Sequence, residues 1–140
     1  MTTVTFEFSE DWGNTTFSCG LDVHKYQLAV AVFAKDDAGH EFLKSEIFGT
    51  DASALRAFFA FITPYKPAKI GMEATNVYHH VIATFLENEK GTAGWPYEVI
   101  VFHPADATGI PGRHKHDRAD AAMIAKLLAA GLLKSGRPII

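Results

Sequence analysis

Residues 16–35 read TFSCGLDVHKYQLAVAVFAK, and the fold follows from how this stretch is parsed. TFSCGLDV and QLAVAVFAK are short, apolar and β-branched, and His24-Lys25-Tyr26 between them leaves room only for a tight turn. Two antiparallel strands are the simplest reading. Working outward, Asp36-Asp37-Ala38-Gly39-His40 is turn chemistry, and EFLKSEIF beyond it alternates well enough to add a third strand to the meander. The period then lengthens: Leu55, Phe58, Phe59 and Ile62 recur three and four residues apart behind Thr50 or Asp51, which predicts a capped helix. Pro64 and Pro67 end it. AKIGME predicts a short buried strand, and Val77, Val81, Ile82, Phe85 and Leu86 predict the apolar stripe of a second helix capped by Thr75 or Asn76. Glu87 to Pro96 reads as a polar loop, and YEVIVF as a fifth strand at or near the centre of the sheet. HPADATGIPGRHK is a long connection before a last helix, roughly HDRADAAMIAKLLAAGLL. Residues 1 to about 15 read as a polar tail or an edge strand.

The predicted order is β-β-β-α-β-α-β-α, an α/β chain with a mixed five-stranded sheet flanked by helices. That is the order of the ribonuclease-H-like fold, although order alone permits other α/β arrangements. The 140 residues suffice for one domain, expected over residues 16–135, and 48% hydrophobic against 21% charged residues excludes a disordered or fibrous chain. Thirteen Lys plus Arg against sixteen Asp plus Glu leaves a net charge of −3, so any hold on nucleic acid must be local rather than a property of the whole surface. Lone Cys19 excludes an internal disulfide framework, which suits a reducing cytoplasm but would suit other compartments too. No apolar run reaches the roughly 18 residues that span a bilayer, and no membrane partner is expected.

Most acidic residues fall in turns or on polar faces, but four do not. Asp22 ends the apolar run CGLDV and Glu73 closes KIGME, so both sit at ends of presumed buried strands, where an uncompensated charge is costly. Singly, each has a plain reading, Asp22 as a turn initiator and Glu73 as a near-cap acid. Asp117 and Asp120 are spaced i, i+3 at the start of the last helix, and capping is a competing reading for Asp117. Four carboxylates brought together would repel one another unless cations sat between them. Oxygen-only ligation suits Mg²⁺ or Mn²⁺, and two such ions about 4 Å apart serve phosphodiester chemistry. Arg113, His114, Lys115 and Arg118 form a local basic cluster, and Lys25 adjoins the first acid, so Lys25, Arg113, Lys115 and Arg118 are candidate phosphate contacts. His79 and His80 are adjacent, but neighbouring side chains on a helix are expected to diverge, and no spacing supports zinc.

Three ordered blocks, GLDVHK at 20–25, GMEATNVYHH at 71–80 and KHDRADAAMIAKLL at 115–128, resemble the amino-terminal domain of the DEDD-type transposases of bacterial insertion sequences, the insertion-sequence-110 group that includes Piv-type DNA invertases. The resemblance implies a fold similar to the RuvC Holliday-junction resolvase, with Asp22, Glu73, Asp117 and Asp120 as its four signature acids. It further implies Mg²⁺ or Mn²⁺, double-stranded DNA as substrate, homo-oligomeric assembly in the full-length protein, an element-encoded guide RNA in several members, and a bacterial cytoplasmic setting. Members of the group also carry a carboxy-terminal domain with a nucleophilic serine. A chain ending at Ile140 is expected to lack it and to be an incomplete recombinase alone. Two other functions stay open: a non-catalytic metal- and nucleic-acid-binding module, and an actin-like or sugar-kinase phosphate-binding domain. The latter would want further Gly-Thr or Gly-Ser after the Asp, where this chain has His24-Lys25.

Overall fold

The computed structural model describes residues 15–74, 77–103 and 120–133. Three strands come first, β1 (Ser18–Val23), β2 (Leu28–Lys35) and β3 (Glu41–Phe48), followed by α1 (Ala52–Ile62), β4 (Lys69–Glu73), α2 (His79–Glu89), β5 (Glu98–Phe102) and α3 (Ala121–Ala129). The order matches the expected one. The sheet runs β3-β2-β1-β4-β5. β1 is central, antiparallel to β2 and parallel to β4, which in turn is parallel to β5.

Strand alternation divides the core between two faces. Cys19, Leu21 and Val23 of β1, with Ile70 and Met72 of β4, pack in one cluster with Leu55, Phe58 and Ile62 of α1 and Ile82 and Leu86 of α2. On the other face lies α3, whose Ile124, Leu127 and Leu128 pack on Ile100 and Phe102, while Ala121 and Ala125 pack on Ala31 and Phe33. Helices therefore cover both faces, which explains why β5 looked like an inner strand. Its Val99 belongs to the first cluster and its Ile100 and Phe102 to the second, yet it is an edge strand of the described sheet rather than a central one.

Local chemistry sets the helix starts. Of the two expected caps for α1, Asp51 serves, its Oδ1 accepting from the Ala54 amide at 2.8 Å. Thr50 instead donates from Oγ1 to the Lys25 carbonyl at 2.9 Å, tying the β1–β2 turn to the end of β3. The expected caps of α2, Thr75 and Asn76, lie outside the described residues. The stripe of α2 is also rotated from the expected one: His79, Ile82, Ala83 and Leu86 are buried, whereas Val77 and Val81 are 70% and 57% exposed. Counting from His79 at three- and four-residue steps gives the buried set directly, so misplacing the helix start misplaced the stripe. No described helix is long and apolar enough to cross a membrane.

The loop expected from Glu87 is shorter, because α2 continues to Glu89, and its far end is buried. Trp95 stacks on Phe59 and donates from Nε1 to the Pro67 carbonyl at 2.9 Å, and the Tyr97 hydroxyl donates to the Leu86 carbonyl at 2.5 Å. Burial, with Glu89 and Glu87 adding negative charge nearby, pushes the Tyr97 phenol up to about 12. An unfolded tyrosine ionises near pH 10. The folded state thus keeps a proton that the unfolded state loses, so stability should decline as pH rises from about 10 through 12. Urea unfolding across that range should show the decline in the wild type and a smaller one in Tyr97→Phe; identical slopes would refute it.

Candidate functional site

Asp22 and Glu73 stand side by side because of the register. β1 and β4 run parallel with Gly20 opposite Gly71 and Leu21 opposite Met72, and the next residue on each strand is an acid. Asp22 and Glu73 therefore occupy the same level at the carboxyl ends of two adjacent strands, on the face opposite Leu21 and Met72. Crevices at the carboxyl ends of strands are where open α/β sheets bind ligands. Glu73 is buried at 4% exposure, and the Asp22 side chain is 17% exposed. Both side chains engage neighbours, Asp22 Oδ2 meeting His24 Nε2 at 3.2 Å, while the buried atoms Asp22 Oδ1 and Glu73 Oε1 accept no hydrogen bond from the described residues. A buried and a half-buried carboxylate on neighbouring strands form an oxygen donor set of the kind hard divalent cations take, so the chemistry of the pair fits Mg²⁺ or Mn²⁺.

α3 lies on the same face, and two glycines let it. A Cβ on Gly20 would collide with the Ala121 carbonyl oxygen and stand 2.5 Å from the Ala125 amide nitrogen, so helix backbone rests directly on strand backbone. At Gly71 a Cβ would meet only the Leu128 side chain, 2.7 Å from Cδ1. The first turn of α3 is thereby seated two residues upstream of Asp22. Strand period two puts Gly20 and Asp22 on one face, and that was a signal the sequence offered.

Asp120 corrects an expectation. The last helix starts at Ala121 rather than near His116, and Asp120 is its N-cap with φ −81° and ψ 170°, its Oδ1 accepting from the Met123 amide at 2.7 Å. The reason is the common preference of a short carboxylate for the open amides of a helix start. Asp120→Ala should lower stability by about 1 kcal/mol, whereas Asp120→Asn, which caps equally well, should not. Equal losses in urea denaturation would show that the charge and not the cap matters.

Asp117 lies outside the described residues, as do Arg113, Lys115 and Arg118. Among the described residues no group of three His, Cys, Asp or Glu side chains is gathered to hold a metal ion, so what is brought together is the Asp22–Glu73 pair with α3 on its face. Lys25 sits in the turn after β1, at the same end of the sheet as Asp22, with Nζ 5.0 Å from the ring centre of Tyr26, itself 76% exposed. His79 and His80 do not diverge as expected: their rings lie 4.1 Å apart at 36°. They occupy the first turn of α2, where no preceding turn restricts the side-chain rotamers.

With that geometry in place, comparison with known proteins adds the following. The family model of the DEDD transposases of the insertion-sequence-110 type, described as "Transposase", matches residues 19–139. None of the curated proteins matches. Among solved structures, Thermus thermophilus RuvC in complex with Holliday junction substrate is similar at 16% identity and a TM-score of 0.54, covering 85% of this chain and 99% of that one. A second Thermus thermophilus RuvC structure gives 17% identity and a TM-score of 0.50, over 88% of this chain and 85% of that one. The Fowlpox virus resolvase with Holliday junction DNA has 19% identity and a TM-score of 0.46, over 71% of this chain and 66% of the resolvase, so the chain spans just under two thirds of that protein. At such identities the likeness is one of fold: a RuvC-like, ribonuclease-H-like mixed sheet.

Proposed function

We propose, from the premise that the chain belongs to the DEDD transposases of the insertion-sequence-110 type, that Asp22 and Glu73 form the sheet-borne half of a divalent-metal site for DNA strand cleavage in transposition. The observation carrying this reading is the position of the two acids at one level on adjacent parallel strands. Asp120 and Asp117, at and before the start of α3, are the proposed contributors from the helix side, Asp120 through the carboxylate oxygen its cap does not use. Bound Mg²⁺ or Mn²⁺, as a pair of ions, would supply activation of the attacking oxygen and stabilisation of the leaving one. The chain's own part is to fix the acids on rigid strands, so that charge is in place before DNA arrives.

Double-stranded DNA is the proposed substrate, with Lys25, Arg113, Lys115 and Arg118 as phosphate contacts, which position the duplex without reading its sequence. A guide RNA, a homo-oligomer and a serine-bearing second domain complete the proposal for the whole transposase, with strand exchange requiring that domain. A second reading is a module that binds metal and nucleic acid without cutting, in which the same Asp22–Glu73 pair would serve binding alone.

Supercoiled and branched DNA, incubated with the chain in Mg²⁺, Mn²⁺ or EDTA, separates the two. Binding should be weak and fall steeply with salt, as phosphate contacts dictate, and strand breaks should be sparse and confined to the metal-containing samples. Breaks equal in EDTA would contradict metal-dependent cleavage. Binding without any breaks would favour the module.

A further inference from the structure

We infer that His24 is a positioning residue for Asp22, holding the carboxylate in the orientation that a divalent cation needs; this rests on the reading of Asp22 and Glu73 as a cation site. Strand alternation puts Gly20 and Asp22 on the face where α3 lies, and His24 is the first residue of the turn after β1, one step beyond Val23. There its Nε2 stands 3.2 Å from Asp22 Oδ2.

The ring is mounted on a backbone with little freedom. The His24 amide donates to the Gln27 carbonyl at 2.9 Å, closing the turn, and Thr50 Oγ1 donates to the Lys25 carbonyl at 2.9 Å, anchoring that turn to the next element. The imidazole is more exposed than the carboxylate, 45% against 17%, so it flanks Asp22 on the solvent side. An aspartate has only two side-chain torsions, and a ring held at 3.2 Å from one oxygen restricts what freedom they leave. Nε2 stands within ion-pair distance of Oδ2, so the ring braces one carboxylate oxygen while His24 itself is assigned no ligand role. Partners that orient metal-binding carboxylates are commonly worth 10- to 100-fold in metal affinity.

The test is titration of the full chain with Mn²⁺ alone, by calorimetry and by the electron paramagnetic resonance of bound Mn²⁺, for the wild type, His24→Ala and His24→Gln. The amide nitrogen of Gln reaches about where Nε2 stands and can make the same contact with Oδ2. Affinity should fall about tenfold or more in His24→Ala and stay within about threefold of wild type in His24→Gln, with metal-free melting temperatures alike in all three. Wild-type affinity in His24→Ala would overturn the positioning role and leave the cation site intact. Equal losses in both variants would overturn it too, by making the ring a ligand. No Mn²⁺ uptake by the wild type would overturn the cation site, and the role of His24 with it.

Discussion

Gly20→Ala should destabilise the chain by about 3 kcal/mol or more, roughly a 10 °C fall in melting temperature, whereas Gly71→Ala should cost about 1 kcal/mol. Both glycines face α3 and both substitutions add one methyl group, but the atoms they meet differ. At Gly20 the new carbon runs into the Ala121 carbonyl and the Ala125 amide, which belong to the helix backbone and can yield only if the whole of α3 lifts from the sheet. At Gly71 it meets the end of the Leu128 side chain, which can turn aside. Lifting α3 also carries the capping residue Asp120 away from the face that holds Asp22, so Gly20→Ala should impair any metal binding shared between strand and helix. Thermal and urea unfolding of the two variants decide the matter. Equal losses would mean that α3 does not rest on β1 as described.

Glu73→Gln should abolish the sparse metal-dependent strand breakage, to the level of the EDTA control, while leaving a cooperative melt. The substitution keeps the shape of the side chain and removes its charge. Glu73 is the more deeply buried of the two strand-borne acids and ends β4 beside the first residue past the last registered pair of β1, so no nearby exposed carboxylate on those strands can replace it. Nicking of supercoiled DNA in Mn²⁺, measured for both proteins from parallel preparations, is the readout. Breakage that survives the substitution would remove Glu73 from the site or expose a contaminating nuclease.

Much of the architecture was legible because it rests on local rules. The β1–β2 hairpin, the three-residue offset from Asp51 to Ala54 and the switch from period two to period 3.6 at Leu55 are all decided within a few residues. The inner or outer place of β5 was not, since an apolar strand covered on both faces looks the same at an edge as at the centre. Val77 and Val81 were read as core because they are apolar at helical spacing, yet Val77 lies before the helix that begins at His79 and Val81 faces outward on it. Asp22 and Glu73 stood out from the cost of a carboxylate at the end of a buried strand, and the register sets the two side by side, which no local rule announces. Asp120 was read as part of the last helix but is its N-cap, because a short carboxylate competes well for the open amides of a helix start. The place of His24 went unread; nothing in a lone histidine after a strand announces the carboxylate it will meet.

The most direct measurement is the melting temperature of the chain with and without millimolar Mg²⁺, for wild type beside Asp22→Asn. A cation that binds only the folded protein stabilises it by an amount set by its concentration relative to Kd, about 2.7 kcal/mol at a hundredfold excess over Kd. The wild type should therefore melt several degrees higher in Mg²⁺, and Asp22→Asn should show no such rise. An unchanged wild-type curve, or an equal rise in Asp22→Asn, would mean that Asp22 and Glu73 are neighbours without a shared cation.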